Sequence, residues 1–439
     1  MSDTQPKFSP KVLSVNINVW RDDSAIRTLP EIFSCWDSNR LAQIYTRAGV
    51  PCTKVCHEFL RINENAIIKS IYNRKVQTAS RVYNTEAMSQ GESEELRKEQ
   101  QRYKQAAKRH SWFMTLCRDI VWSLGKWKSK ELDEYIDSVN PDVLFVPIYP
   151  VVYMARLQKY IIRRTGKPVV GYLADDNFSY KVCGKNLFAY IHRFWLRKGT
   201  IDLIKSCDRL FVIAPKTKEE CKKLFGKESE YLTKAIDFSK ISYTAHKVAP
   251  PIKMVYSGKL NIGRDKALMK IAEAVAKINE EDTKITFDVY APGNPTDEFI
   301  KTFEGKGCRF MGSVDKEKLD KVQQESDVLI FAESLDKKHY NAARLSFSTK
   351  ITDYFKNGRC ILALGSKEIA PMDYLIKEDA AITVTDYKDI EGRLRKLCDS
   401  PELVDEYGKK AFDCGKRNHD AEKVFGNFKK VICDLAHNT

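Results

Sequence analysis

Short apolar runs alternate with stretches of helical periodicity along almost the whole 439-residue chain, and this alternation restricts it to an α/β architecture with parallel sheets. Parallel strands are covered on both faces by crossover helices, so each strand reads as a near-continuous apolar run. In the first half the runs fall at 12–17, 52–56, 143–147, 169–173 and 209–213; in the second they fall at 253–256, 286–290, 309–311, 328–331, 360–364 and 381–383. One hydrophobic core rarely organises a chain of this length, so two domains are expected. Periodicity lapses over 233–251, which ends in Ala249-Pro250-Pro251 and reads as a linker, because a Pro-Pro pair stops a helix and stiffens a connector. The expected layout is a Rossmann-like domain over 1–236, a second over 252–419 and a final helix over 420–439. Val424, Phe425, Phe428, Val431 and Ile432 recur at helical spacing there, which suits packing across both domains.

With 43% hydrophobic and 30% charged residues the chain buries a core and is not a disordered polymer. Its twelve cysteines are scattered, without a CxxC pair or zinc-site spacing, and read as reduced thiols of a cytoplasmic protein. The first ten residues lack the apolar core of a signal peptide, and no run approaches a membrane span, so a soluble or peripheral protein is expected.

A formal charge of +15 implies an acidic partner. Basic and large apolar residues interleave over 109–130, which includes Trp112, Trp122, Trp127 and Lys128, and over 185–198, which includes Phe188, Arg193, Trp195 and Lys198. Such helices either bury one face in the core or lie on anionic lipid with aromatics inserted and cations at the headgroups. The polar segment 85–110 reads as an exposed helix or excursion.

The chemistry concentrates in the second half. Ser346 to Phe355, followed by Asn357-Gly358 and an apolar strand, reads as a polar loop opening a short helix that a glycine ends. The amides of Ser348, Thr349, Lys350 and Ile351 and one lysine then sit at a helix N-terminus, a place that favours a diphosphate. Asp353 lies about one turn further in, where a carboxylate accepts from ribose hydroxyls; an ordinary capped connection is the alternative. Ser257-Gly258-Lys259-Leu260 ends another strand in a flexible turn with a cation, and Arg264 follows just before a helix. Gly293 and Gly312-Ser313-Val314 follow two further strands, at carboxyl ends outside which a nucleotide would lie.

This order of units resembles the nucleotide-sugar-binding domain of GT-B glycosyltransferases, especially the retaining group called glycosyltransferase family 4. Gly258-Lys259-Leu260 with Arg264 is similar to that family's Gly-Arg-Leu and Lys that contact the donor diphosphate, and Ser348-Thr349-Lys350-Ile351-Thr352-Asp353-Tyr354 is similar to its Ser-Thr-Lys-Ile variant. The first half resembles the acceptor domain of bacterial polysaccharide glycosyltransferases through 24–49, 141–145 and 171–177, with 64–130 unassigned. The usual pair of glutamates eight apart is broken, since Leu345 holds the first position and only Asp353 stands for the pair. The glycine-rich loop often found after the first strand is replaced by a segment containing Asp22 and Asp23.

The resemblance implies two Rossmann-like domains facing across a cleft, a C-terminal helix crossing back, and transfer from a nucleoside diphosphate sugar, UDP favoured, to a glycan or polyprenyl-diphosphate-linked acceptor in surface polysaccharide synthesis. Lys259, Arg264 and Lys350 would stabilise the departing diphosphate without a metal or other cofactor. Asp175 and Asp176 are the nearest approach to a metal-binding Asp-x-Asp, and they are placed instead at the acceptor side, as a base or a hydroxyl-orienting group, or as turn residues. A retaining enzyme needs no strong base, because the donor phosphate can take the acceptor proton. The alternatives are a sugar-nucleotide epimerase or hydrolase of the same fold, for which His57, His192 and His339 offer no cluster, and a nucleic-acid-binding protein, for which no recognised module is present.

Overall fold

Hydrogen bonding joins the apolar runs of this computed structural model into two separate sheets. Residues 9–22, 28–84, 112–181 and 186–437 are described, with isolated positions between 91 and 101. Most of the 85–110 segment, together with Asp23, Ser24, Cys183 and Lys185, lies outside them.

Among the described residues the first unit holds an eight-stranded sheet of β1 (Val12–Asn16), β2 (Leu41–Tyr45), β3 (Glu58–Ile62), β4 (Ala79–Val82), β5 (Val143–Pro147), β6 (Val169–Leu173), β7 (Arg209–Val212) and β8 (Glu230–Tyr231) in the order β4-β3-β2-β1-β5-β6-β7-β8. All neighbours run parallel except β3 and β4. The second unit holds β9 (Ile252–Ser257), β10 (Ile285–Tyr290), β11 (Glu304–Gly305), β12 (Cys308–Gly312), β13 (Val328–Ala332), β14 (Cys360–Leu364) and β15 (Ile382–Val384) in the order β11-β12-β10-β9-β13-β14-β15, with only β11 antiparallel. Apart from the edges, both sheets have the doubly wound order 3-2-1-4-5-6 of dinucleotide-binding folds, which reverses between β1 and β5 and between β9 and β13.

The two units comprise 1–213 with 218–232 and 425–439, and 214–217 with 233–424. The last helix, Ala421–His437, thus begins in the second unit and ends in the first, where Phe428 meets Phe33, Phe145 and Phe211 with centroids 5.2, 5.8 and 5.2 Å away.

One expected strand falls elsewhere. Residues 52–56 form a loop, and the strand is Glu58–Ile62. Asp22 accepts from Thr53 Oγ1 at 2.7 Å and from the Lys54 amide at 3.0 Å, while Asn84 Oδ1 accepts from the Thr53 amide, so side chains engage that backbone before a ladder does.

Of the tryptophans for which the sequence allows either burial or lipid contact, Trp122 and Trp127 are buried. Trp122 is 1% exposed, stacks on Tyr153 at 4.2 Å and donates from Nε1 to Glu64 Oε2 at 3.1 Å; Trp127 is buried as well. Trp122→Ala removes a large core side chain and leaves a cavity, so it should lower the unfolding free energy by about 4 kcal/mol in a denaturant titration. A loss under about 1 kcal/mol would show that this side chain does not hold the core.

Candidate functional site

The site is built on the carboxyl edge of the second sheet. β9 and β13 are its central neighbours, and the strand order reverses between them, the position at which such sheets bind ligands beyond their strand ends. Gly258 follows β9 at φ +149°, and a side chain there would collide with the Lys350 ammonium, which lies directly over the glycine. Lys350 opens the helix Thr349–Asn357, and its Nζ stands 5.1 Å from the centroid of the Tyr256 ring. Tyr256 in turn donates from its hydroxyl to the Lys259 carbonyl at 2.8 Å, which fastens the loop.

Glu333 leaves the end of β13 only 4% exposed. It accepts a two-pronged contact from Arg264, Nε to Oε2 at 3.0 Å and Nη2 to Oε1 at 2.6 Å. Arg264 is the first residue of the helix Arg264–Ile278, whose cap Gly263 adopts φ +73°. A Cβ at Gly263 would lie 2.6 Å from His339 Nδ1 and 2.8 Å from Ser334 Oγ, so glycine lets this helix start close against the loop after β13.

Three cations, Lys259, Arg264 and Lys350, thus share a neighbourhood with the carboxylate of Glu333. Burial, and then the Arg264 charge, lower the Lys350 pKa to about 8, with Glu333 opposing and Lys259 adding to the fall. The pairing with Glu333 raises Arg264 against its own burial. The excess of positive charge faces a helix N-terminus whose cap residue, Ser348, makes no side-chain cap bond. Such a place suits a multiply charged anion.

The other expected residues fall in both units and are taken one unit at a time. Gly293 (φ +100°) and Gly312 (φ +68°) follow β10 and β12 with open space where a side chain would go, and the Ala291 amide donates to the Gly312 carbonyl at 2.9 Å. Ser257 turns inward, its hydroxyl accepting from Gln323 Nε2 at 2.9 Å. Ile351 is buried, and Asp353 accepts from Lys234 Nζ at 2.5 Å on the same helix as Lys350. In the first unit, Asp175 is exposed after β6, while Asp176 is buried and accepts from the Ser179 amide and hydroxyl at 2.9 and 2.6 Å. Asp176 therefore closes a turn. Glu333 is not among the residues the sequence motifs mark; its signal is a lone acid directly after the wholly apolar run of β13, at the reversal of strand order.

No protein-family model matches the chain, and no curated protein matches it. Among solved structures the chain is similar over 98% of its length to sucrose-phosphate synthase from Thermosynechococcus elongatus, covering 100% of that chain at TM-score 0.61 and 10% identity. It is similar over 97% of its length to HepE from Anabaena in complex with UDP, covering 100% of that chain at TM-score 0.58 and 9% identity. It is likewise similar to the α,α-trehalose 6-phosphate synthase from Burkholderia multivorans, with 98% of each chain covered at TM-score 0.52 and 9% identity. At these identities the likeness is one of fold, two Rossmann-like units of the GT-B fold.

Glu333→Gln keeps the shape of the side chain and removes the charge that Arg264 and Lys350 share. Breaking a buried pair from one side should lower stability by about 3 kcal/mol in a denaturant titration. Unchanged stability would mean that the pair is solvated and does not organise the loops.

Proposed function

We propose that the chain is a nucleotide-sugar glycosyltransferase. The observation that carries this reading is the Lys350 ammonium packed over Gly258 beside the Arg264–Glu333 fork, at the N-terminus of the helix Thr349–Asn357 and the reversal of strand order. The donor in this reading is a nucleoside diphosphate sugar, with UDP favoured; HepE, whose fold is shared, has been solved with UDP and with UDP-glucose. The acceptor is a glycan or a lipid-linked oligosaccharide of a bacterial surface polysaccharide, and the setting is the cytoplasmic face of a membrane.

In the reaction the bond between the sugar's anomeric carbon and the β-phosphate oxygen breaks, and the electron pair stays on the diphosphate. Lys350, Arg264 and the first amides of the helix Thr349–Asn357 oppose that growing charge in a partly dry site, where fixed cations act more strongly than in water. With the configuration retained, the acceptor oxygen bonds to the same face of the sugar, and its proton passes to the departing phosphate oxygen. Asp353 is proposed to face the nucleotide's ribose after exchanging its Lys234 contact, and the backbone at Gly293 and Gly312 to face the base. Asp175, exposed beside the acceptor unit's strand ends, orients a sugar hydroxyl.

A ligand at a hundred times its dissociation constant adds about 2.7 kcal/mol of stability, so UDP at that ratio should raise the melting temperature clearly, and Lys350→Ala should abolish the rise. If no nucleoside diphosphate among UDP, GDP and ADP shifts the wild type, the donor reading fails.

The pH dependence gives a second test. Because the Lys350 pKa is lowered to about 8 in the free protein, the unfolded chain holds the extra proton between that value and the ordinary lysine range, and free-protein stability rises with pH across that window. A bound diphosphate favours the charged lysine instead. UDP affinity measured by calorimetry should therefore fall up to about tenfold per unit above about pH 8 in the wild type, and Lys350→Met should bind weakly with a flat profile. A flat wild-type profile would remove Lys350 from the anion site.

A further inference from the structure

The helix Leu187–Ser206 carries apolar side chains on all sides; one side packs into the first unit, and among the described residues the opposite side is exposed. Ala189, Leu196 and Leu203 face the first unit, together with His192. On the opposite arc Leu187, Ile191 and Phe194 recur at helical spacing and lead to Lys198, with Trp195 alongside. Leu187 is 70% exposed, Trp195 54% and Phe194 50%. The neighbouring helix Trp112–Leu124 also exposes Ile120 and Leu124, and a buried contact of 3.0 Å between His192 Nε2 and Asp119 Oδ2 joins the two helices.

A basic rim adjoins the apolar area. The helix Val152–Thr165 meets Leu187–Ser206 where Lys159 Nζ donates to Asp202 Oδ2 at 2.7 Å. Arg156, Lys159 and Arg163 of that helix, with Lys128, line a pocket of about 250 Å³ against the rings of Trp127 and Tyr160. Lys128 Nζ stands 5.0 Å from the Tyr160 ring centroid.

Exposed apolar and aromatic side chains bounded by cations fit a lipid surface or a second copy of the chain, and charge separates the two. A two-fold contact between copies lays the same patch against itself and brings Arg156, Arg163 and Lys198 towards their own kind. An anionic headgroup layer supplies the opposite charge. Tryptophan and tyrosine with lysine and arginine also combine an apolar body with a polar tip, which matches the depth gradient of a bilayer interface. Among the described residues no helix is long and apolar enough to cross a membrane, so this one would lie in the plane of the interface.

We infer that the face formed by Leu187–Ser206 and Trp112–Leu124 docks on an anionic membrane, with Leu187, Ile191, Phe194 and Trp195 below the headgroups and the cations of Val152–Thr165 among the phosphates. This surface does not depend on the transferase reading, because binding to it is measured without donor or acceptor.

The test is flotation of the full chain with phosphatidylcholine vesicles, with and without phosphatidylglycerol, at low and high salt. The wild type should float with the anionic vesicles and lose most of that binding at high salt. F194S with W195S should lower anionic-vesicle affinity at least tenfold while keeping the wild-type melting temperature. R156Q with R163Q should weaken binding roughly five-fold per charge and leave less of it sensitive to salt. Should F194S with W195S prove misfolded, L187S with I191S makes the same test on the same arc. Absence of wild-type binding, equal binding to neutral vesicles, or unchanged binding by the folded variants would each overturn the inference. So would a wild-type dimer in sedimentation that these substitutions dissociate while no vesicle binds, which would assign the face to a second copy.

Discussion

The site in the second unit depends on the place where its strand order turns round. β9 lies between β10 on one side and β13 on the other, and right-handed crossovers send the chain to opposite faces from these central strands. Three side chains meet at that reversal: Glu333 from the end of β13, Arg264 from the helix after β9, and Lys350 from the helix before β14. The sheet supplies the opening, and the helix N-terminus aims its amides at it. Neither would hold an anion well without the other.

Within that opening the two principal cations have different duties. Arg264 is fixed, since its fork is matched to both oxygens of Glu333 and gains from the planarity of the guanidinium. Lys350 is a compact charge on a flexible stem, held over an aromatic ring and a glycine, and its lowered pKa registers how poorly one shared carboxylate compensates its burial. Gly258 thus has a purpose beyond its turn. Any larger residue would push the ammonium out of the position where it is both dry and under-compensated, and that position is what would make a diphosphate bind there more strongly than on the surface.

The fold was legible because buried parallel strands leave a direct trace. Val143–Pro147, Val169–Leu173 and Cys360–Leu364 are uninterrupted apolar runs, and each forms a strand at the expected place. Glu58–Ile62 was not, because Glu58 and Arg61 interrupt it and its neighbour β4 is an antiparallel edge strand. At the site, the residues around Gly258 and Lys350 announced themselves by their place after strands and at a helix start. Glu333 did not, because its importance lies in a partner 69 positions away, and spacing in sequence carries no record of a contact made through a sheet. Ser257 shows the converse difficulty: in a strand the side chain alternates between faces, and one position decides whether a hydroxyl meets the loop or, as here, the buried Gln323.

The tryptophans show why composition alone could not locate the outer face of the first unit. A stretch with aromatics and cations on every side has no strong periodicity, so its sequence fits a covered helix and an exposed one equally well. What decides is where the polar tips find partners. Trp122 has Glu64 for its indole N–H, and Glu64 also accepts from Arg118 Nε at 2.6 Å, so one carboxylate draws both side chains of the Trp112–Leu124 helix inward. On Leu187–Ser206 the inward attachments are His192, which meets Asp119, and Arg193, which donates to the carbonyls of Ser179 and Asp176. Those two polar contacts set the rotation of the helix, and with the rotation set, Leu187, Ile191 and Phe194 are turned outward because the helical spacing leaves them nowhere else to go.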